Sequence, residues 1–211
     1  MKGELKMKKA MTLLYKVHDN IYVNLTNKCP CACTFCLRQT RDHMEASDVL
    51  WLEHDVTREE LLDAFENTDL TSYPEVVFCG FGEPMEALDV LLAGAKYIKK
   101  RYPGKPVRIN TNGQGNLIHG KDITPLLEGL VDTVSISLNT PDPDQYQRLV
   151  RSKFGAGSFD AMIDFAKKCT HHVPHVVMTT VETTISHEDE EKCRKICQSI
   201  GAHYRIRAWE G

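Results

Sequence analysis

A chain of 211 residues with a formal net charge of −3 can bury one sizeable core, and its slight acidity gives no reason to expect tight, charge-driven binding to nucleic acid. An apolar share of 42% is that of a soluble globular protein. No run approaches membrane-spanning length, and the opening MKGELKMKKA is basic but lacks the apolar core of a secretion signal, so a cytoplasmic location is expected.

Residues 1–11 read as a flexible arm and 12–211 as a single domain. Residues 12–17 form an expected strand, His18-Asp19-Asn20 a turn, and 21–25 a second strand. Its alternation sets Ile21, Val23 and Leu25 against Tyr22 and Asn24. A cysteine-rich loop leaves this strand's C-terminal end. Residues 39–54 are polar and irregular and define no element. Thr57 and Glu60 form a T-x-x-E capping box for a helix carrying Leu61, Leu62 and Phe65. Residues 75–79 are a short buried strand ending in GFGEP. Leu88, Leu91, Leu92, Ala95 and Ile98 then follow a helical stripe, and Pro103-Gly104 ends it.

Further strands are expected at 107–111, 133–138, 176–181 and 204–208, with helices in the gaps. Ser158 is expected to cap a helix running to about Cys169, and Ser186 with Asp189 to open another before Cys193, Ile196, Cys197 and Ile200. A strand-then-helix rhythm of about thirty residues is what right-handed crossovers produce. Six such units fall short of an eight-stranded barrel of about 250 residues. The expected fold is therefore α/β, an open partial (βα)6 barrel of TIM type with a mostly parallel sheet.

Several strands alternate where a parallel sheet buried on both faces would be apolar throughout. Val107 and Ile109 leave Arg108, Asn110 and Asn112 on the concave side; Val134, Ile136 and Leu138 leave Ser135, Ser137 and Asn139; Tyr204, Ile206 and Ala208 oppose Arg205, Arg207 and Trp209. A dry core of such groups would cost roughly 1 to 3 kcal/mol for each one left unpaired, so the concavity is expected to hold a polar ligand. Arginine matches carboxylate or phosphate, which makes Arg108, Arg205 and Arg207, with Trp209, candidates for an anionic substrate. The competing reading pairs these arginines with acidic residues inside the barrel.

The chemistry concentrates in NLTNKCPCACTFCLR, residues 24–38, where half of the eight cysteines crowd together. Such usage points to metal rather than cross-links. Cys29, Cys33 and Cys36 stand in CxxxCxxC spacing, and three thiolates on one loop can converge on an iron-sulfur cube that normally takes four protein ligands. The fourth iron would stay open for chemistry. A zinc knuckle would need a fourth ligand at paired spacing, and no second CxxC or HxxxH follows. Cys31 makes the segment CxCxCxxC, so Cys31, Cys33 and Cys36 form a rival set.

This spacing, with Phe35 inside it, resembles the radical S-adenosylmethionine (radical SAM) superfamily. Three further segments resemble its motifs in order: GFGEP at 80–84, TNG at 111–113 and SISLN at 135–139. At closer range, YVNLTNKCPCACTFCLRQ followed by FCGFGEP is similar to the small radical enzymes encoded beside TatD-type hydrolases. The resemblance implies a 4Fe-4S cluster on Cys29, Cys33 and Cys36, with S-adenosylmethionine chelated at the open iron. It further implies that the backbone of Gly80, Phe81 and Gly82 and the Glu83 carboxylate receive the methionine amino group. Asn112, Ser137 and Asn139 would address the ribose and carboxylate, Phe35 and Val181 would flank the adenine, and Arg151 is an alternative holder of the carboxylate. Glycine at 80 and 82 would let the backbone approach the ligand.

The implied reaction takes an electron from a flavodoxin or ferredoxin and splits the sulfonium to a 5'-deoxyadenosyl radical that abstracts hydrogen from a substrate. Related minimal enzymes would be 7-carboxy-7-deazaguanine synthase or a glycyl-radical activase. The rival from another class is a zinc- or cluster-binding interaction module without turnover. Cys79, Cys169, Cys193 and Cys197 read as core thiols, and His171, His172 and His175 as exposed loop histidines away from the strand ends. The acidic run 188–191 suits a helix N-terminus.

Overall fold

The computed structural model describes residues 9–209; residues 1–8 of the expected arm lie outside them. Strands β1 (Leu14–Val17) and β2 (Asn20–Val23) form an antiparallel hairpin. Its turn places His18 in the left-handed region, φ 52°. From β2 onward every pairing is parallel: β3 (Val76–Phe78), β4 (Val107–Thr111), β5 (Thr133–Ser137), β6 (His175–Val181) and β7 (His203–Arg207). The sheet runs β1 to β7 in chain order. Six parallel strands with crossovers thus build the expected open (βα)6 unit, and β1 is an antiparallel lead strand.

Helices α1 (Arg58–Glu66), α2 (Leu88–Arg101), α3 (Gly115–His119), α4 (Pro143–Val150), α5 (Ser158–Cys169) and α6 (His187–Ser199) make the crossovers. The core lies between them and one face of the sheet, where Val23, Val76, Phe78, Ile109, Val134, Ile136 and Met178 meet Leu61, Phe65, Leu91, Ile98, Phe165, Cys193 and Cys197, all fully buried. At about 1.5 to 3 kcal/mol per buried large apolar side chain, this layer is the main source of stability. Cys169, Cys193 and Cys197 are core thiols, as their stripe requires. Burial pushes the Cys193 thiol up to about 12 and the Cys197 thiol up to about 11, so both stay protonated and inert.

The segment 40–52 has no regular element, yet Leu50 and Leu52 are fully buried. It lies over the other face of β1 and β2, where Leu50 joins Tyr15, Val17 and Phe81, with Tyr22, Met44 and Trp51 packed beside them. Trp51 meets Phe81 edge to face, ring centroids 5.3 Å apart. Ala10 N–H donates to the Trp51 carbonyl at 2.9 Å. No periodicity announced this packing, because loop residues reach it one at a time.

Two expected caps differ in outcome. Ser186 Oγ accepts from Asp189 N–H at 3.1 Å. Ser158 does not cap α5: it is the helix's first residue, is fully buried, and donates to Gln147 Oε1 at 3.2 Å. The preceding Gly155-Ala156-Gly157 turn enters the helix without needing a side-chain cap. His171 and His175 are exposed, and His172 pairs with Glu128 at 3.1 Å. Among the described residues no helix is long and apolar enough to cross a membrane.

The Thr57 box is complete: Glu60 N–H donates to Thr57 Oγ1 at 3.2 Å and Thr57 N–H to Glu60 Oε2 at 2.8 Å. Replacing Thr57 by alanine removes one half of the reciprocal pair, and urea unfolding should show a loss of about 1 kcal/mol. An unchanged midpoint would mean that α1 is held by its buried face alone.

Candidate cofactor site at the strand ends

β2 ends at Val23, and the cysteine loop begins within three residues of it. Three sets of contacts hold that loop. Beneath it, Asn27 clamps Leu52 in both directions, Nδ2 to the Leu52 carbonyl at 2.8 Å and Leu52 N–H to Oδ1 at 3.0 Å. Beside it runs the C-terminal end of α4: Ala32 N–H donates to the Val150 carbonyl at 3.1 Å, Thr34 N–H to Leu149 at 2.9 Å, and Lys153 N–H to Pro30 at 2.9 Å. Cys31 and Ser152 form an antiparallel bridge. Across it, Arg38 donates to the carbonyls of Cys31 (3.2 Å) and Phe81 (3.4 Å), tying the loop to GFGEP.

The glycines of GFGEP pack closely against the cysteine loop. A Cβ on Gly80 would sit 2.1 Å from Asn24 Oδ1, and one on Gly82 would sit 2.1 Å from the Thr26 carbonyl and 2.7 Å from that of Lys28. On the side where a side chain would project, the close approach they permit is to the cysteine loop's own base. Glu83 N–H donates to the Lys28 carbonyl at 2.7 Å, which locks the two segments together. Asn24 Oδ1 is left without a hydrogen-bond partner among the described residues, though the Asn24 amide nitrogen bonds the Leu50 carbonyl at 2.8 Å.

Glu83 is 3% exposed, and its carboxylate organises the neighbouring strand end. Oε1 accepts from Thr111 Oγ1 at 2.7 Å and from Met85 N–H at 3.1 Å, and Oε2 accepts from Asn112 N–H at 2.8 Å. Three donors occupy three of about four acceptor positions, leaving one on Oε2. Asn112, so placed, turns its amide nitrogen to the sulfurs of Cys31 (3.6 Å) and Cys29 (3.9 Å). The TNG strand end therefore faces the cysteine loop directly.

Cys29, Cys33 and Cys36 are half-buried and Cys31 is buried. The Cys29 and Cys33 thiols beside it, with burial, hold the Cys31 thiol well above the usual thiol range. Cys31, with Arg38 nearby, draws Cys29 down to about 6 and lowers Cys33; burial raises Cys36. Among the described residues no three Cys, His, Asp or Glu groups are arranged as a cage for a single metal ion. The donor set is all sulfur, which fits an iron-sulfur cluster.

The remaining expected residues fall along the rim. Ser137, Thr179 and Arg205 stand in register across β5, β6 and β7, and Val181 in register with Arg207. Asn139 holds a left-handed backbone, φ 66°, with its amide on the Ser137 carbonyl at 3.3 Å. Arg151 ends α4 in the same left-handed region and is exposed; Phe35 and Trp209 are exposed by 42% and 58%. Arg108 takes the competing reading: its guanidinium pairs with Glu75 at 2.8 Å and also reaches Asn110 Oδ1 at 3.3 Å. Arg205 and Arg207 have no ion pair among the described residues. Partial burial, then the positive charges of Arg108 and Arg207, holds Arg205 below the usual arginine range.

Sequence reasoning missed a buried chain behind the motifs. Ser152 Oγ donates to Gln114 Oε1 at 2.7 Å, and Gln114 Nε2 donates to the Tyr146 hydroxyl at 3.1 Å. It joins the residue after TNG to the end of α4, and so braces both walls of the cysteine loop. The available signal was position alone: Gln114 follows Gly113, and Ser152 follows Arg151.

An open parallel barrel whose first parallel strand delivers a cysteine loop, braced against the next two strand ends, is the core of a cluster-dependent (βα) enzyme. The sequence matches the model of the Radical SAM superfamily over residues 23–200. The chain belongs to that superfamily: it is a radical SAM enzyme whose cofactors are a 4Fe-4S cluster and S-adenosylmethionine. It is 24% identical over 185 residues to GTP 3',8-cyclase of Limosilactobacillus fermentum, covering 87% of this chain and 52% of that protein. To the GTP 3',8-cyclase of Corynebacterium glutamicum (strain R) it is 28% identical over 197 residues, covering 90% and 49%. The chain thus spans about half the length of these relatives. Streptococcus suis SuiB bound to S-adenosylmethionine shares the fold, with TM-score 0.56 and 19% identity over 90% of this chain and 38% of that one.

Burial pushes the Glu83 carboxyl from 4.5 up to about 7, against its three donors and with the Cys29 charge adding to the rise. The folded state then binds that proton more tightly than the unfolded one, so its contribution to stability is present below pH 4.5 and lost as pH rises towards 7. The urea midpoint of the iron-free chain should fall across that window, and Glu83→Gln should flatten this part of the dependence. An unaltered slope in the variant would assign the dependence to other groups.

Proposed function

We propose that the chain generates its radical at the cysteine loop and directs it at a small anionic substrate held by Arg205 and Arg207. The observation that carries this reading is the contrast within the arginine group. Arg108 is neutralised by Glu75, whereas Arg205 and Arg207 stand exposed in register with Thr179 and Val181, unpaired among the described residues. An anion meeting both gains charge-assisted hydrogen bonds that no side chain already takes. That curated relatives are cyclases of GTP, a polyanion, is in keeping with such a substrate.

In this reading Cys29, Cys33 and Cys36 hold the cluster, and the protein supplies orientation and exclusion of water. The backbone of Gly80, Phe81 and Gly82 and the open lone pair of Glu83 receive the methionine amino group. Asn112, Ser137 and Asn139 address the ribose and carboxylate, with Arg151 as a further carboxylate partner; Phe35 and Val181 flank the adenine. When bound, the two cofactors supply reductive cleavage of a sulfonium to a 5'-deoxyadenosyl radical. A flavodoxin or ferredoxin would deliver the electron. The opening YVNLTNKCPCACTFCLRQ with FCGFGEP supports membership of the group encoded beside TatD-type hydrolases, and a functional link to such a hydrolase is part of the proposal.

Anaerobic reconstitution tests the reading. The chain should bind about four irons and, on reduction, convert S-adenosylmethionine to methionine and 5'-deoxyadenosine; a zinc-binding interaction module would do neither. Replacing Arg207 by alanine should leave that cleavage intact while weakening binding of GTP, used as an anionic probe, by roughly tenfold, the scale of one lost charge-assisted contact. Equal loss of both would overturn the substrate assignment.

A further inference from the structure

We infer that Arg38 is the counter-charge of the cluster, a fixed cation that favours the reduced, more negative state and so eases entry of the electron. The inference rests on the proposed ligand set of Cys29, Cys33 and Cys36, and it names a positioning residue that acts on that group without ligating it.

Arg38 follows Cys36 by two residues, on the short 3-10 turn Leu37–Gln39. Its guanidinium folds back over the loop to the Cys31 carbonyl at 3.2 Å and to the Phe81 carbonyl at 3.4 Å. The charge is thus held against the stretch that carries the first two assigned ligands, while the side chain springs from beside the third. Both acceptors are neutral. Residues 24–41 contain no Asp or Glu, and Asp55, which reaches the loop, is taken by Lys28 and Thr26. Arg38 makes no ion pair among the described residues. A half-buried guanidinium with no anion beside it is costly to keep, and three thiolates gathered on iron supply that anion.

Holding the loop does not by itself require a charge. The next residue, Gln39, clips the Cys33 carbonyl with a neutral amide at 2.5 Å. Arginine at the position before it makes the same kind of contact and adds a permanent positive charge. Reduction brings one electron from the flavodoxin or ferredoxin, with no bond formed or broken and no proton moved, and leaves the cluster one unit more negative. A neighbouring cation stabilises that state, and net charge around a cluster is one of the levers on its potential.

The test compares wild type, Arg38→Gln and Arg38→Lys, each reconstituted without air, assayed for iron, and poised with redox mediators in the absence of S-adenosylmethionine. Electron paramagnetic resonance reads the reduced cluster at the potential where half of the wild type is reduced. There Arg38→Gln, which keeps amide donors but loses the charge, should lower the ratio of reduced to oxidised cluster roughly tenfold. Arg38→Lys should stay close to wild type. An unchanged ratio in an Arg38→Gln chain that holds about four irons would overturn the counter-charge role and leave the three ligands standing. So would a fall of equal size in both variants, which would make the fork of donors rather than the charge the essential part. If Arg38→Gln takes up too little iron to measure, Arg38→Lys decides alone: a wild-type ratio supports the role and a marked fall overturns it. A wild type that binds no cluster would overturn both this role and the proposed ligand set.

Discussion

Everything at the strand ends depends on backbone meeting backbone where GFGEP crosses the root of the cysteine loop. With Gly82 against the Thr26 and Lys28 carbonyls and Glu83 N–H on Lys28, the loop has one height above the sheet. From that contact the Glu83 side chain reaches sideways to Thr111 and the Asn112 N–H, which sets β4's end relative to β3's. Asn112 then faces the sulfurs. A methyl group at residue 82 would have to displace main chain rather than a flexible side-chain tip, and parallel neighbours buried on both sides leave it nowhere to go.

The same geometry divides labour between the two faces of the sheet. Its helix side is dry and apolar, and the stability of the domain resides there. The concave side is polar, and its groups are satisfied by one another to different degrees across the sheet. Near β2 to β4, Tyr22, Glu75, Arg108 and Asn110 form a self-contained set. Towards β7 the pairing runs out, and Arg205 and Arg207 are left to solvent. Stability is thus concentrated away from the site, which leaves the rim free to vary with substrate.

The fold was legible in the sequence because strands and helices announce themselves by period: β3 to β7 each lie within a residue of their alternating segments, and the Thr57 box lies where T-x-x-E put it. The cysteine loop stood out through residue type and spacing, since thiols three and two residues apart have few uses. What stayed hidden depends on contacts between residues far apart in the chain. Segment 40–52 carries no pattern, yet Leu50 covers one face of the lead hairpin. Gln114 and Ser152 are ordinary polar residues until Tyr146 brings them together, and Ser158 looked like a cap because a buried serine and a capping serine are the same letter. The glycines of GFGEP were read as sites of close approach to a ligand, and only packing could reveal a further close approach, of Gly80 to Asn24 and of Gly82 to Thr26 and Lys28.

The charge distribution adds a final constraint on what the concavity admits. Three arginines share that face with one paired carboxylate, Glu75, in a chain whose formal net charge is −3. Over an exposed edge such as β7 the repulsion is screened by water, and leaving two guanidinium groups side by side costs little. Closing a ligand over them removes that screening. A neutral ligand would then have to bear the cost of two desolvated like charges, whereas an anion turns the same desolvation into attraction. On the proposed reading, selection at this rim is by charge before it is by shape, and it operates beside strand ends whose own polar groups, Ser137, Asn139 and Thr179, are neutral. On that reading the neutral stretch takes the zwitterionic cofactor and the cationic edge a second, negatively charged molecule, so that the two ligands are sorted along the sheet in the order in which its strands are laid down.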